Sequence, residues 1–332
     1  MNRIMTIGSL FLIAAATPAR AADTAKVDEA VKKGAEYLKS FHGGGVNGGT
    51  HGAGSVALSG MALLASGATA KDPTIIAIAN SLRPQVFTDE KTYNNALMVL
   101  FFDKLGLPED EGLIQLLGVK LLVGQNSQGG WGYNTWPSNV PLDGARWTAS
   151  FRNWKFDGRM HPEIAKLYQS TRGGNGVGNT GGSMMTDDNS NTQFALIATW
   201  VAARHAIPIR DAANRLDNRF LRTQDPQNGG WGYSGVASGS TPSMTCAGLL
   251  GLAVSFASKS TVQMESNAEP KTEEDDPFSK PPTGAGGDKK PGEGDKEAAP
   301  PTDMLAARRK AAIDRGLAAL GRTLAQNQPR NA

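Results

Sequence analysis

Gln125-Asn-Ser-Gln-Gly-Gly-Trp131-Gly-Tyr133 returns further along the chain as Gln224-Asp-Pro-Gln-Asn-Gly-Gly-Trp231-Gly-Tyr233. Both copies follow an apolar helical pattern carrying Lys or Arg, Leu113 to Val123 and Ala213 to Leu221, and both lead through a loop to a helix of small and apolar residues. The unit is helix, Gln, glycine turn, Trp, helix. A Gln at a helix C-terminus can bond the last orphan carbonyls, the glycines permit positive φ beyond the cap, and the indole covers the helix end. This reading expects helix ends, not strands, at Trp131 and Trp231. A hairpin of this kind cannot bury its apolar faces alone and must stack on others like it.

Working outward, the remaining helices fall into the same two kinds. Asp28 to Leu38 has helical apolar spacing and reads as an outer helix; Ser55 to Ser66, apolar nearly all round, reads as a buried one. Pro73 to Leu82 and Thr92 to Leu105 form the next outer and buried pair, and Glu111 opens a third. Its buried partner is Thr192 to His205, where Ser190 and Gln193 have the spacing of a capping box. The fourth buried helix spans Ser243 to Ala257, with Thr241 as N-cap and Pro242 at its first position.

Between Tyr133 and Asp187 an insertion (134–187) sets aromatics among basic residues, has a short helix near Pro162 to Gln169, and ends in a glycine tract. Gly176-Val-Gly178-Asn-Thr-Gly181 fits a dinucleotide-binding spacing but follows no strand, so it reads as a loop. Residues 259–303 turn rich in acid, Pro and Gly and read as a disordered linker. The segment 304–327 reads as a final helix whose Asp314-Arg315-Gly316-Leu-Ala-Ala-Leu320 echoes Val31-Lys32-Lys33-Gly34-Ala-Glu-Tyr37-Leu38. It reaches Gln326 without a further Gly-x-Trp, which is expected of a repeat cut half-way.

At the N-terminus, Asn2-Arg3, an apolar Ile4 to Thr17 and Ala19-Arg20-Ala21 are the parts of a signal peptide (1–21). The apolar run is short for a span of roughly 20 residues. An exported protein, periplasmic or extracellular, with no membrane span after cleavage is expected. A formal net charge of +3 over 332 residues, evenly mixed, gives no footprint for nucleic acid. One cysteine, Cys246, rules out an intrachain disulfide, and its helical, apolar setting predicts a buried packing residue. Four histidines, His42, His51, His161 and His205, lack the spacing of a zinc site, so neither metal nor cofactor is expected. His205 reads as a partner of a helix C-terminal dipole.

The basic residue, Gly, aromatic or Leu, Gln and closing Gly-x-Trp resemble the Gln/Trp repeat of the terpenoid cyclase and protein prenyltransferase superfamily. Gln125 to Tyr133, Asp188 to Trp200, Gln224 to Tyr233 and Pro242 to Leu250 together resemble the prenyltransferase/squalene-oxidase-repeat proteins exported by planctomycete bacteria. The resemblance covers about 25 to 258 plus the last helix. It implies an all-α fold, an incomplete α/α toroid of stacked hairpins (22–258) with the buried helices as its inner ring. Gln125, Trp131, Tyr133, Gln224, Trp231 and Tyr233 become its structural repeat residues.

The chemistry of that superfamily is not carried over. Where the cyclases have Asp-x-Asp-Asp-Thr, this chain has Asp188-Asn189-Ser190-Asn191-Thr192, without the proton-donating acid. The prenyltransferase Asp-x-Cys is not met by Met244-Thr245-Cys246. Asp187 and Asp188 remain as weak candidates for acid work or a cation, or as acids favouring a helix N-terminus. Asp187 to Asn191 only partly fits a calcium loop. The expectation is therefore a binding or structural module, for an unknown ligand or protein partner, with self-association one way to complete the ring. The alternative is an enzyme. A carbohydrate enzyme would use Arg146, Trp147, Arg152 and Trp154; a terpenoid enzyme would line a cavity with Phe101, Phe194 and Phe256.

Overall fold

A computed structural model describes residues 23–43, 52–136, 141–172, 187–235, 238–267 and 304–326. The proposed signal peptide, the glycine tract and almost all of the linker lie outside these residues. The described chain is all-α, with twelve helices. They are α1 (Thr24–Gly43), α2 (Gly52–Ala65), α3 (Pro73–Leu82), the single turn α4 (Gln85–Thr88), α5 (Thr92–Leu105), α6 (Glu111–Gly124), α7 (Gly144–Phe151), α8 (Pro162–Arg172), α9 (Asn189–Ala202), α10 (Arg210–Thr223), α11 (Pro242–Asn267) and α12 (Met304–Gln326).

Two layers follow from the contacts. Helices α2, α5, α9 and α11 pack side by side in chain order, while α3, α6, α10 and α12 flank them. Helix-to-helix approach is close where glycines remove the side chain. A Cβ on Gly60 or Gly251 would overlap the rings of Phe101 or Phe220 from the neighbouring helix. The start of α3 shows the local logic: Pro73 is pre-set for the first turn, and the Asp72 side chain accepts from Thr74 N at 2.9 Å.

Several expectations are corrected. Helix α9 is capped by Asp188, whose carboxylate accepts from Asn191 N at 2.7 Å; Ser190 and Gln193 make no capping box, because Ser190 Oγ is bonded to Tyr93. The backbone of α11 runs on to Asn267, so helix continues past the expected linker start at 259. Cys246 is exposed, since Met244, Thr245 and Ala247 take the packed side of α11. Trp231 lies in a two-residue antiparallel ladder, Trp231–Gly232 against Ser240–Thr241, and Trp131 bridges to Asp188. The chain must run extended there to lie beside the residue that starts the next helix.

Helix α6 is another departure. It reads as an outer helix, yet every residue from Gly112 to Leu122 is buried. The insertion is the cause: it folds into α7, capped by Asp143, and α8, and α8 packs across α6. The buried Gln115 of α6 finds two of its three partners there. Gln115 Nε2 donates to the carbonyls of Arg159 (3.1 Å) and His205 (2.9 Å), and its Oε1 accepts from His161 N at 2.7 Å.

Candidate functional site

The two Gln/Trp turns are the first set of predicted residues to place. Gln125 does not bond the carbonyls that end its own helix. Its Nε2 donates to Gly129 O across the turn and to Ala212 O in α10, both at 3.0 Å, and its Oε1 accepts from Arg215 Nε at 2.9 Å. Gln224 repeats the pattern one unit on, with Gly229 O (2.8 Å), Ala312 O (2.7 Å) and Arg315 Nη2 (2.6 Å). Each Gln therefore ties its turn to the flanking helix of the next unit. Gly129 and Gly229 have φ of +92° and +79°, and a Cβ on either would meet the carbonyl of Arg215 or Arg315.

Both indoles are sealed in, 1% and 0% exposed. Trp131 Nε1 donates to Leu121 O at 2.7 Å and Trp231 Nε1 to Phe220 O at 2.9 Å, so each caps the helix that precedes it. Their backbone N–H groups donate to Thr192 and Thr245 Oγ1, in α9 and α11. Tyr133 O accepts from Thr92 N and Tyr233 O from Asn189 N, both at 2.8 Å, which satisfies the free N-termini of α5 and α9. One turn thus touches four helices.

The tyrosines themselves differ from the tryptophans. Tyr133 and Tyr233 are 54% and 41% exposed, and their hydroxyls meet at 3.2 Å. Tyr93, tilted against Phe194 with ring centroids 4.8 Å apart, lies beside them. The Tyr233 hydroxyl is pushed up from the usual phenol range by its bond to Tyr133, then by burial and by nearby Asp188.

The acid pair sits just behind. Asp187 accepts from Asn126 Nδ2 and from Arg219 Nη1, both at 2.9 Å, and Arg219 Nη2 donates to Asn189 Oδ1. Asp188, 1% exposed, spends both oxygens on Asn191. Asn189 and Asn191 lie inside α9, so Asp187 to Asn191 forms no calcium-type loop. Among the described residues there is no group of His, Cys, Asp and Glu able to hold a metal.

At the opposite end of α5 the insertion leaves a groove of about 950 Å³. One wall is Arg152, Trp154, Lys155 and Phe156; the other is Pro108 to Glu111. Arg152 and Lys155 are exposed and make no ion pair among the described residues. Below, Asp110 is 1% exposed and chelated by Arg83 at 2.8 and 3.0 Å; burial raises its pKa and the guanidinium pulls it back. Glu111 Oε2 is 2.6 Å from His205 Nδ1, whose Nε2 is 3.1 Å from Asp103. His205 is thus fixed between two carboxylates. Trp154 stands edge-on to His161 at 5.1 Å, and burial lowers the His161 pKa.

Of the four insertion residues predicted together, only two share this groove. Arg152 and Trp154 line it, whereas Arg146 pairs with Glu163 at 2.7 Å and Trp147 packs on Phe151. The three phenylalanines are in separate settings: Phe101 is fully buried, Phe194 packs at a tilt against Tyr93, and Phe256, 54% exposed, lies under Arg309. Sequence reasoning missed Phe156, Arg219 and the clamp arginines. The last had a signal, since Arg215 and Arg315 stand 90 and 91 residues after the Gln each one bonds.

The fold and site define an all-helical protein built on a repeated Gln/Trp turn, with a grooved insertion on one flank. No protein-family model, curated protein or solved structure matches the chain.

Proposed function

We propose that the chain is an exported Gln/Trp-repeat protein, its hairpins arranged as an incomplete α/α toroid, which works as a binding module. The toroid reading is supported by the side-by-side order of α2, α5, α9 and α11 and by the identical clamps at Gln125 and Gln224. No helix among the described residues is long and apolar enough to cross a membrane.

The observation that carries the binding reading is the insertion groove. Two aromatic rings, Trp154 and Phe156, line it together with Arg152 and Lys155, which make no ion pair among the described residues, and with Glu109. Rings that stack on sugar faces, with charged groups placed for hydroxyls and carboxylates, suit a glycan better than a lipid. The acids first considered for catalysis are already engaged, Asp187 by Arg219 and Asp188 by the start of α9. A carbohydrate enzyme is the second reading, favoured by His205, which is held between Asp103 and the groove residue Glu111 with its ring 6.3 Å from that of Phe156.

A glycan array tests the proposal. Chain starting at Ala22 should retain one glycan class, and Trp154→Ala should lose it with unchanged thermal unfolding. An array without a bound glycan overturns the glycan reading, and a positive lipid overlay would put the terpenoid-type reading in its place. Turnover of the retained glycan, abolished by His205→Asn, would move the conclusion to the enzyme.

A further inference from the structure

Helices α1 and α12 are two versions of one element with different, partly overlapping faces in use. Aligning Lys33-Gly34 with Arg315-Gly316 sets Ala30 against Ala312 and Leu38 against Leu320. On α12, Ala312 O accepts from Gln224, Arg315 donates to Gln224 Oε1, and Gly316 lies so close beneath Trp231 and Leu249 that a methyl group would overlap both. On α1 the matching Ala30, Lys33 and Gly34 are exposed, and nothing approaches within 4 Å of a Cβ built on Gly34. The converse holds at one position. Ala35 of α1 packs on the core, whereas its match on α12, Leu317, is 55% exposed; Leu38 and Leu320 are half-buried on both helices.

The other layer is open at the same two edges. Leu58, Ala62 and Ala65 are exposed on α2, the first helix of that row. Cys246, Ala253 and Phe256 are exposed on α11, the last. The start of the stack therefore lacks what its end presents.

We propose that a second copy of this chain docks head to tail, its α1 taking the seat of α12 on the Gln224–Trp231 turn and its α2 lying along α11, and that α12 is a built-in occupant holding this seat closed. In the docked state Gln224 Nε2 donates to Ala30 O, Lys33 donates to Gln224 Oε1 in place of Arg315, and Gly34 slides under Trp231. The contact continues an interface already present within the chain. It joins unlike faces, so it builds closed rings or growing chains, never a face-to-face pair.

The two occupants are not equal. Arg309 of α12 is joined to Asp217, 0% exposed, through two bonds of 2.9 and 2.7 Å, and α1 has Val27 at that position. Displacing α12 strips a buried carboxylate of its guanidinium, which is costly. Being on the same chain gives α12 a further advantage through effective concentration. The untreated protein is thus monomeric, with assembly held in reserve. This inference goes beyond the binding proposal and does not depend on any ligand.

The test uses the full chain and its mass in solution across a range of concentrations. Gly316→Leu expels α12, and this variant is expected to self-associate with rising concentration. Adding Gly34→Leu should return it to a monomer, because the new side chain meets Trp231 of the neighbour; Gly34→Leu alone should fold and remain monomeric. Arg309→Met releases α12 without added bulk and is the second release variant should Gly316→Leu lose helicity. The proposal fails if both release variants stay monomeric while folded, or if Gly34→Leu leaves their association intact.

Discussion

Lys120 lies in a helix of leucines and is 1% exposed, with Nζ donating to Val86 O at 2.9 Å and to Asp89 O at 2.5 Å. Burial pulls its pKa down from 10.5 to about 8, and the acids Asp89 and Glu90 recover part of that loss. Below about pH 8 the folded and unfolded chains both hold the proton, and the fold bears the full cost of a buried charge. Between about 8 and 10.5 only the unfolded chain keeps it, so the unfolded state binds more protons and stability rises with pH. The rise is of the order of 3 kcal/mol for a shift of this size. Urea unfolding at several pH values should show it in the parent protein as an excess over Lys120→Met; equal slopes in the two proteins would refute the assignment. Gln125 supports a second residue-scale prediction. Gln125→Ala leaves the carbonyls of Gly129 and Ala212 without its side-chain donor, a loss of about 2–6 kcal/mol in unfolding free energy at about 1–3 kcal/mol for each group. Little of this was legible beforehand. A lysine among leucines marks a helix face in sequence, and nothing local tells that a loop carbonyl waits above it.

Helices α3 and α5 begin and end where the sequence places them, because Pro73 and Gly106 mark a start and a stop and the apolar spacing between is unbroken. Helix α7 has only eight residues and too little pattern to be seen. Helix α6 is visible as a helix and misplaced as an outer one, since its outer side is covered by the insertion that follows it, whose fold the sequence does not show. The glycines inside helices carry a test at this scale. Gly to Ala in an exposed helix gains about 1 kcal/mol. Gly251→Ala should instead destabilise by about 1–3 kcal/mol, because the new methyl is driven into Phe220 in a packed contact. A gain in thermal stability for Gly251→Ala would show that α10 and α11 are not in close contact.

For the molecule as a whole, the helical patterns around the duplicated turn were enough to foresee an all-α chain. They were not enough to foresee what the Gln holds. Its partner lies 87 residues ahead for Gln125 and 88 for Gln224, a distance no local pattern spans. The acid pair was legible as the start of a helix, while the groove was not, because its two walls come from residues 83–113 and 148–156. Each Gln/Trp turn fastens the flanking helix of the following unit. Amide hydrogen exchange on Gln224→Ala measures this most directly. The predicted result is loss of protection across α12, residues 304–326, with α2, α5 and α9 protected as in the parent protein. If α12 stays as protected in the variant as in the parent, or is already unprotected in the parent, the turn does not hold the next unit.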